Sequence, residues 1–556
     1  MGGGRIDSQK STLLQSPYMK QTLLLFLTAT LVMASTAQQK LPTDYLTPAF
    51  HAGRREALRA LMPPRSVTVV FSYPTRTFSN DVTYPYHPNP DLYYFSGYKE
   101  PQAVLLIFKE AQRTAEGKMV KELFFVQKRD PRQETWTGRR LGVEKVKSEL
   151  GFEDGTVFNG SAFKDYPIDF TAFDQIFFAG LPDDVHDDLY DAADLYDLIQ
   201  AFRKKAALPD DYDGAIYSLV SYLAEKIAPA DLKNAIAFVN QQKLGNEKFR
   251  NSRWLTDFVS CKDSADLALF RQKFAALKWN SYRYDRMVAS LREIKTPEEM
   301  ALMRKTVSIS AIAHAEVMKA IRPGMGEAEL QGLQEYVHKK LGAEYVGYPS
   351  IVGAGANGCI LHYEENALVN ISHDMVLMDI GAEYHGYSAD VTRTVPSNGK
   401  FNPEQKAIYD LVYRAQEAIF PLCHEGTPFE DLNKKATEVL AAGLMKLGII
   451  KDAAQVKLYY PHGCSHYLGL DVHDAGNEGP LKENMVITVE PGIYIPAGSA
   501  CDKKWWDIGV RIEDDVRIGK EKFELLSWQA PRRSADVEKM RLQKSAINGL
   551  TLPTPK

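Results

Sequence analysis

Three short, unbroken apolar runs mark the first half of the chain: "SVTVVF" (66–71), "AVLLIF" (103–108) and "ELFFVQ" (122–127). Each is too short for a buried helix and rich in β-branched or aromatic residues, so each predicts a buried strand. The acidic, tyrosine-rich stretch 181–206 predicts a surface loop running into an amphipathic helix, its charges forming a solvated face. Residues 41–290 are therefore expected to form one α/β domain, with an insertion around 150–220.

The pattern then changes to helical spacing. "KTPEEM" (295–300) is a helix start, with Thr296 as N-cap, Pro297 in the first turn and Glu299 closing a capping box. The helix is expected to run to about Ile321, with a second over "EAELQGLQEYVHKKLG". Residues 296–342 and 402–448 then match: both open on an N-cap residue, Pro and Glu, break at a central glycine (Gly324, Gly426) and close on Leu-Gly. The match continues beyond the helices, "MVLMDIGAEY" (375–384) with "MVITVEPGIY" (485–494), and "YSADVTRTV" (387–395) with "GVRIEDDVRI" (509–518). An internal repeat of this kind predicts two halves related by a pseudo-twofold.

Each half offers one acid at the end of an apolar strand and a second in a later strand. The repeat pairs Asp379 with Glu490 and Asp390 with Glu513, and each half carries a histidine before its Met-Val, His362 and His473. A carboxylate buried at the end of "VLMD" or after "VITV" is costly unless paired or ligated. Alternation along "RIEDD" sets Arg511 beside Glu513, where it is expected to hold that acid ionised. Four carboxylates and an imidazole suit two divalent ions, and oxygen-rich ligands favour a hard ion such as manganese. The stretch "HGCSHYLGLDVHD" (462–474) holds three histidines. Its glycines and the absence of Glu after His462 argue against a zinc-protease helix and for a strand. On a strand His462 and His466 stand roughly 13 Å apart, so only one can ligate a given ion. Cys464 is expected to pack.

Composition narrows the class. The chain has 556 residues, 45% of them hydrophobic and 25% charged, with a net charge of −4. Two to four domains are expected, with no electrostatic case for nucleic acid and no span in the mature chain. Five scattered cysteines without a CxxC exclude a zinc ribbon and a disulfide scaffold. The apolar run after Met19 and Lys20, ending in small residues, reads as an export signal cut after Ala37. The mature protein is therefore expected to be periplasmic or secreted.

Together, "LMDIGAEYHGYSADVTRT", "HGCSHYLGLDVHD", "TVEPGIY" and "GVRIEDDV", with "PDLYYFSGYKEPQAVLLI" and "WTGRRLG" upstream, resemble the pita-bread metallopeptidases of the aminopeptidase P type. The resemblance implies an α/β fold: an N-terminal domain with a mixed sheet (41–290), a pseudo-twofold pita-bread catalytic domain (291–525) and a tail (526–556). It implies metal ligation by Asp379, Asp390, His466, Glu490 and Glu513, with Asp390 and Glu513 bridging two manganese ions. His362, His462, His473, Glu490 and Arg511 would serve catalysis, and Asp91 and Trp136 substrate binding, Trp136 by reaching a neighbouring subunit's site in a dimer or tetramer. The implied reaction is hydrolysis, by hydroxide held between the two ions, of the bond between an N-terminal residue and a following proline. The segment "DAGNEGPLKEN" departs from the family in being short and lacking an arginine. A prolidase limited to Xaa-Pro dipeptides and a metal-free peptide-binding module are the alternatives.

Overall fold

All three apolar runs are strands of one sheet. In the computed structural model, which describes residue 2 and residues 44–547 apart from 183, 189, 190 and 192, they are β1 (Ser66–Phe71), β2 (Val104–Arg113) and β3 (Met119–Val126). The expected export signal lies outside the described residues. Two further strands, β4 (Val157–Asn159) and β5 (Gln175–Phe178), complete the order β4-β3-β2-β1-β5. β1, β2 and β3 pair antiparallel, while β4 and β5 add parallel at the two edges, so the sheet is mixed. Residues 157–178, expected inside an insertion, thus supply both edges of the sheet; their runs are too short to read as strands without the neighbours they pair with.

The runs are unbroken because both sheet faces are covered. Val67, Val69, Leu106, Phe108 and Phe125 pack into a helical layer drawn from residues 195–274. Val70, Leu105, Ile107 and Phe124 face the other way, onto Leu58 of α1 (Pro48–Leu61), Leu92 and Phe95 of α2 (Pro90–Ser96) and Tyr284 and Val288 of α3 (Ser281–Arg292). The same core continues into Met303 and Val307 of α4 (Pro297–Ala320) and into Tyr384 and Tyr387. One apolar layer therefore joins the N-terminal sheet to the second half of the chain.

α4 starts as expected: Thr296 Oγ1 accepts the Glu299 N–H and Glu299 Oε2 accepts the Thr296 N–H at 2.9 Å. It is followed by α5 (Glu327–Lys340), β6 (Ile351–Ala354), β7 (Met375–Asp379) and β8 (Thr392–Pro396), ordered β8-β7-β6. The second half repeats the plan with α6 (Pro403–Ile419), α7 (Phe429–Lys446), β9 (Val486–Val489), β10 (Gly492–Ile495), β11 (Ile508–Arg511) and β12 (Asp514–Arg517). β7 pairs antiparallel with β8 from Asp379↔Thr392, and β9 with β12 from Val489↔Asp514, each one residue short of its match in the repeat. The seam is closed by hydrogen bonds onto backbone carbonyls: Glu513 N–H donates to Thr392 O at 3.1 Å, and the Thr394 hydroxyl donates to Arg511 O at 3.0 Å. Gly509 lets β11 also approach the turn after β6, since a Cβ there would lie 2.0 Å from Gly358 O.

Residues after 525 do not form a free tail as far as they are described. α8 (Ser534–Met540) packs through Val537, the Tyr409 hydroxyl donates to Arg532 O at 2.7 Å, and Glu538 accepts the Phe401 N–H. No helix of the described residues is long and apolar enough to cross a membrane.

Candidate metal centre and active site

The repeat delivers its four acids to one cleft of about 340 Å³ at the seam. Asp379 is the last residue of β7 and Glu490 the first after β9, while Asp390 precedes β8 and Glu513 precedes β12. His362, His462, His466, His473 and Arg511 line the same cleft.

One ligand atom from each of Asp390, His466 and Glu513 lies within 4.8 Å of the others, close enough to share an ion. His466 Nε2 stands 3.3 Å from Asp390 Oδ2 and 3.6 Å from Glu490 Oε1. Burial pushes the Glu490 carboxyl up to about 8, and burial together with the neighbouring acids raises Asp390 and Glu513. Burial opposes a charge on His466, but the adjacent Asp390 and Glu490 carboxylates override it and lift it to about 9. Crowded carboxylates that hold protons against their nature are a site short of positive charge. The donor set of oxygens and one imidazole fits hard divalent cations.

Asp379 differs from the other three. Burial would raise it, but the Arg511 guanidinium, whose Nη2 donates to Asp379 Oδ2 at 2.6 Å, holds it below the usual carboxylate range. Arg511 was expected to hold Glu513. The ladder breaks after Arg511, so alternation does not carry through to Glu513, which instead accepts the Thr392 hydroxyl at 2.6 Å. Arg511 also donates to Tyr494 Oη at 2.8 Å and Thr392 Oγ1 at 3.1 Å.

Residues 462–474 are an irregular loop with a single bridge, Tyr467↔Ile487, rather than the expected strand. Three hydrogen bonds still lay its first part along β9: Leu468 N–H to Val486 O, Thr488 N–H to His466 O and Glu490 N–H to Cys464 O. The loop lets its histidines take different tasks. His462 Nε2 lies 2.9 Å from Tyr494 Oη, and burial lowers its pKa to about 4. His473 stands edge-on to His466, ring centroids 4.4 Å apart. Cys464 is buried in the apolar core and its thiol is pushed up, so it packs.

Two candidates lie elsewhere. Asp91 accepts from Arg292 Nη1 and from the Tyr284 hydroxyl, both at 2.7 Å, and does not line the cleft; it is a half-buried ion-pair partner. Trp136 is 89% exposed on the short helix Pro131–Thr137, none of whose residues is buried, and it too is absent from the cleft wall. Sequence reading missed Tyr348, whose hydroxyl donates to Asp379 Oδ1 at 2.5 Å and Asp390 Oδ1 at 2.7 Å. It stands outside any strand and its spacing carries no signal. Glu327 was also missed. Fully buried, it accepts the N–H groups of Ala354 and Leu368 at 2.7 Å and is bonded by Asn357 and Tyr363, fixing the loop that carries His362. Glu327→Gln turns one acceptor into a donor facing donors and is expected to cost about 2–3 kcal/mol in chemical unfolding.

Known proteins resemble this chain in sequence and in fold. Residues 301–520 match the model of metallopeptidase family M24, and residues 51–166 that of the aminopeptidase P N-terminal domain. The Xaa-Pro aminopeptidase of Escherichia coli strain K12 is 31% identical, over 87% of this chain and 96% of that protein. The chain belongs to metallopeptidase family M24. The Xaa-Pro aminopeptidase 3 of Homo sapiens is 28% identical over 90% of this chain and 88% of that protein. Among solved structures, Pseudomonas aeruginosa aminopeptidase PepP superposes with a TM-score of 0.68 at 29% identity, covering 90% of this chain and 98% of that one. The pita-bread fold follows from this likeness, and with it a hydrolytic site built for divalent metal, usually two ions in this family. Residues 167–300 lie between the two family models.

Proposed function

We propose that this protein is a dinuclear metallo-aminopeptidase that hydrolyses the bond between an N-terminal residue and a following proline. The convergence of four acids and His466 on one cleft carries the reading, and the similarity to Xaa-Pro aminopeptidases supports the substrate class. Asp379, Asp390, His466, Glu490 and Glu513 would hold the metal, two ions of manganese by ligand hardness. Bound ions would supply an acidified water and polarise the scissile carbonyl.

The chain's own groups supply the rest. Glu490, on the cleft wall, takes a proton from the attacking water and passes it to the proline nitrogen as the C–N bond breaks. His362 and His473, on the cleft wall, donate toward the developing oxyanion. Asp379, kept ionised by Arg511, receives the substrate's free amine. Proline offers no N–H, so the cleft must select it by ring shape.

A prolidase must also grip the free carboxylate of its dipeptide. Among the described residues the one Arg or Lys lining this cleft is Arg511, and its guanidinium is already committed to Asp379, Tyr494 and Thr392. Manganese-loaded protein is therefore expected to cleave Xaa-Pro-Yaa peptides at least about tenfold faster than Xaa-Pro dipeptides, an unmatched carboxylate being worth at least 1.4 kcal/mol. The reverse order identifies a prolidase; no cleavage of either, with no manganese retained, identifies a peptide-binding module.

Two further proposals concern the whole molecule. The exposed Trp136 suits contact with a second subunit in a dimer or tetramer. Light scattering is expected to show an oligomer that Trp136→Ala weakens. The segment following Met19 supports export, and the mature N-terminus is expected at Gln38.

A further inference from the structure

His473 makes no hydrogen bond through its ring among the described residues; it rests edge-on against His466. Something else must therefore fix its place on the cleft wall. The residues on either side of it are anchored. Asp474, with 1% of its side chain exposed, accepts from Arg292 Nη2 and from Lys295 Nζ, the latter at 2.7 Å. Asp471 accepts from the same Arg292 nitrogen at 2.7 Å. The other arm of the guanidinium, Nη1, donates to Asp91 on α2 at 2.7 Å, and Tyr284 of α3 holds the second Asp91 oxygen. Lys295 is tied back by donating to Arg292 O at 2.6 Å. The fit is tight enough to demand Gly469, where a Cβ would fall 2.0 Å from Asp474 Oδ2.

We infer that Arg292 is the positioning residue for His473, and that Asp91 orients Arg292 from the N-terminal half of the chain. A guanidinium can do this because its planar fork serves carboxylates on opposite sides at once, which a lysine ammonium cannot do in fixed directions. All three acids meet one buried guanidinium, with Lys295 as a second holder of Asp474 alone, so a shift of the guanidinium moves the loop segment 471–474 and the imidazole it carries. The N-terminal sheet domain thereby enters the active site through an ion-pair hub, without touching substrate. This inference rests on the proposed role of His473 in Xaa-Pro hydrolysis.

The test is a double-mutant cycle on the manganese-loaded full chain, reading kcat and KM on an Xaa-Pro-Yaa peptide. Arg292→Lys is expected to lower kcat about tenfold with KM within about twofold, as expected for a misplaced catalytic group. In a His473→Ala background the same change is expected to cost less than about twofold, because the residue it positions is gone. Asp471→Asn, at a half-exposed carboxylate, is a variant that folds safely and is expected to show the same pattern at about threefold. Equal losses in both backgrounds, or no loss from either variant, overturn the inference. An active wild type with an additive cycle sinks this inference alone, whereas an inert wild type sinks the function on which it rests.

Discussion

Glu490→Gln is expected to abolish turnover, lowering kcat by about 10³-fold or more on any Xaa-Pro-Yaa peptide. The change is nearly isosteric but removes both the proton carrier and one negative charge from the metal site. Loss of activity through misfolding is the usual objection to such a result, and here the electrostatics answer it. Burial pushes the Glu490 carboxyl up to about 8, so the metal-free fold already prefers it uncharged. Glutamine mimics that uncharged form, and metal-free Glu490→Gln should unfold at a temperature no lower than metal-free wild type. Turnover near the wild-type rate would remove Glu490 from the mechanism.

Stripping the metal is the second large effect. Chelated protein should be inactive, regain activity with manganese and lose stability by about 2.7 kcal/mol for each ion it had bound at 100 times its Kd. The pH dependence of the stripped protein has a definite sign. Glu490 is raised in the folded state above its unfolded value, so its folded form binds more protons between about 4.5 and 8. Its contribution to stability is full below pH 4.5 and is lost as pH rises through 8. Glu513 and Asp390 are raised for the same reasons and add in the same direction. Stripped protein should therefore melt at a lower temperature at pH 8.5 than at pH 6, and the gap between stripped and loaded protein should widen with pH. Loading near pH 7 should release protons, since ligation needs these carboxyls ionised and His466, at about 9, neutral. A stripped protein with flat stability from pH 6 to 8.5 would contradict the crowded-carboxylate account.

The Arg292 hub and the Glu327 network place part of the catalytic apparatus under the control of residues that never meet substrate. Both act on loops, 471–474 and 354–368, that carry histidines to the cleft wall. Loops lack a ladder of their own, so buried ions and acceptors do for them what neighbouring strands do for Asp379 and Glu490.

Much of this protein was legible along the chain because its signals are local or periodic. The strand cores of β1, β2 and β3 show as unbroken apolar runs, and the start of α4 shows as a Thr-Pro-Glu-Glu capping box. The four acids were found because the duplication repeats them at matched positions beside strand ends, and the pairing of β7 with β8 and β9 with β12 reproduces that match to within one residue. What the tertiary structure alone decided is which charge meets which. Arg511 reaches across the seam to Asp379, 132 positions away, and passes over Glu513, two positions away, because the ladder turns between them. Asp91, expected to meet substrate, is placed by the fold against Arg292, 201 positions on. Tyr348 and Thr392 join the site through hydroxyls that no periodicity announces. Period and propensity are properties of neighbours in sequence and survive in one dimension; a buried charge is satisfied by whatever the fold brings within about 3 Å, and that distance exists only once the two halves have closed on each other.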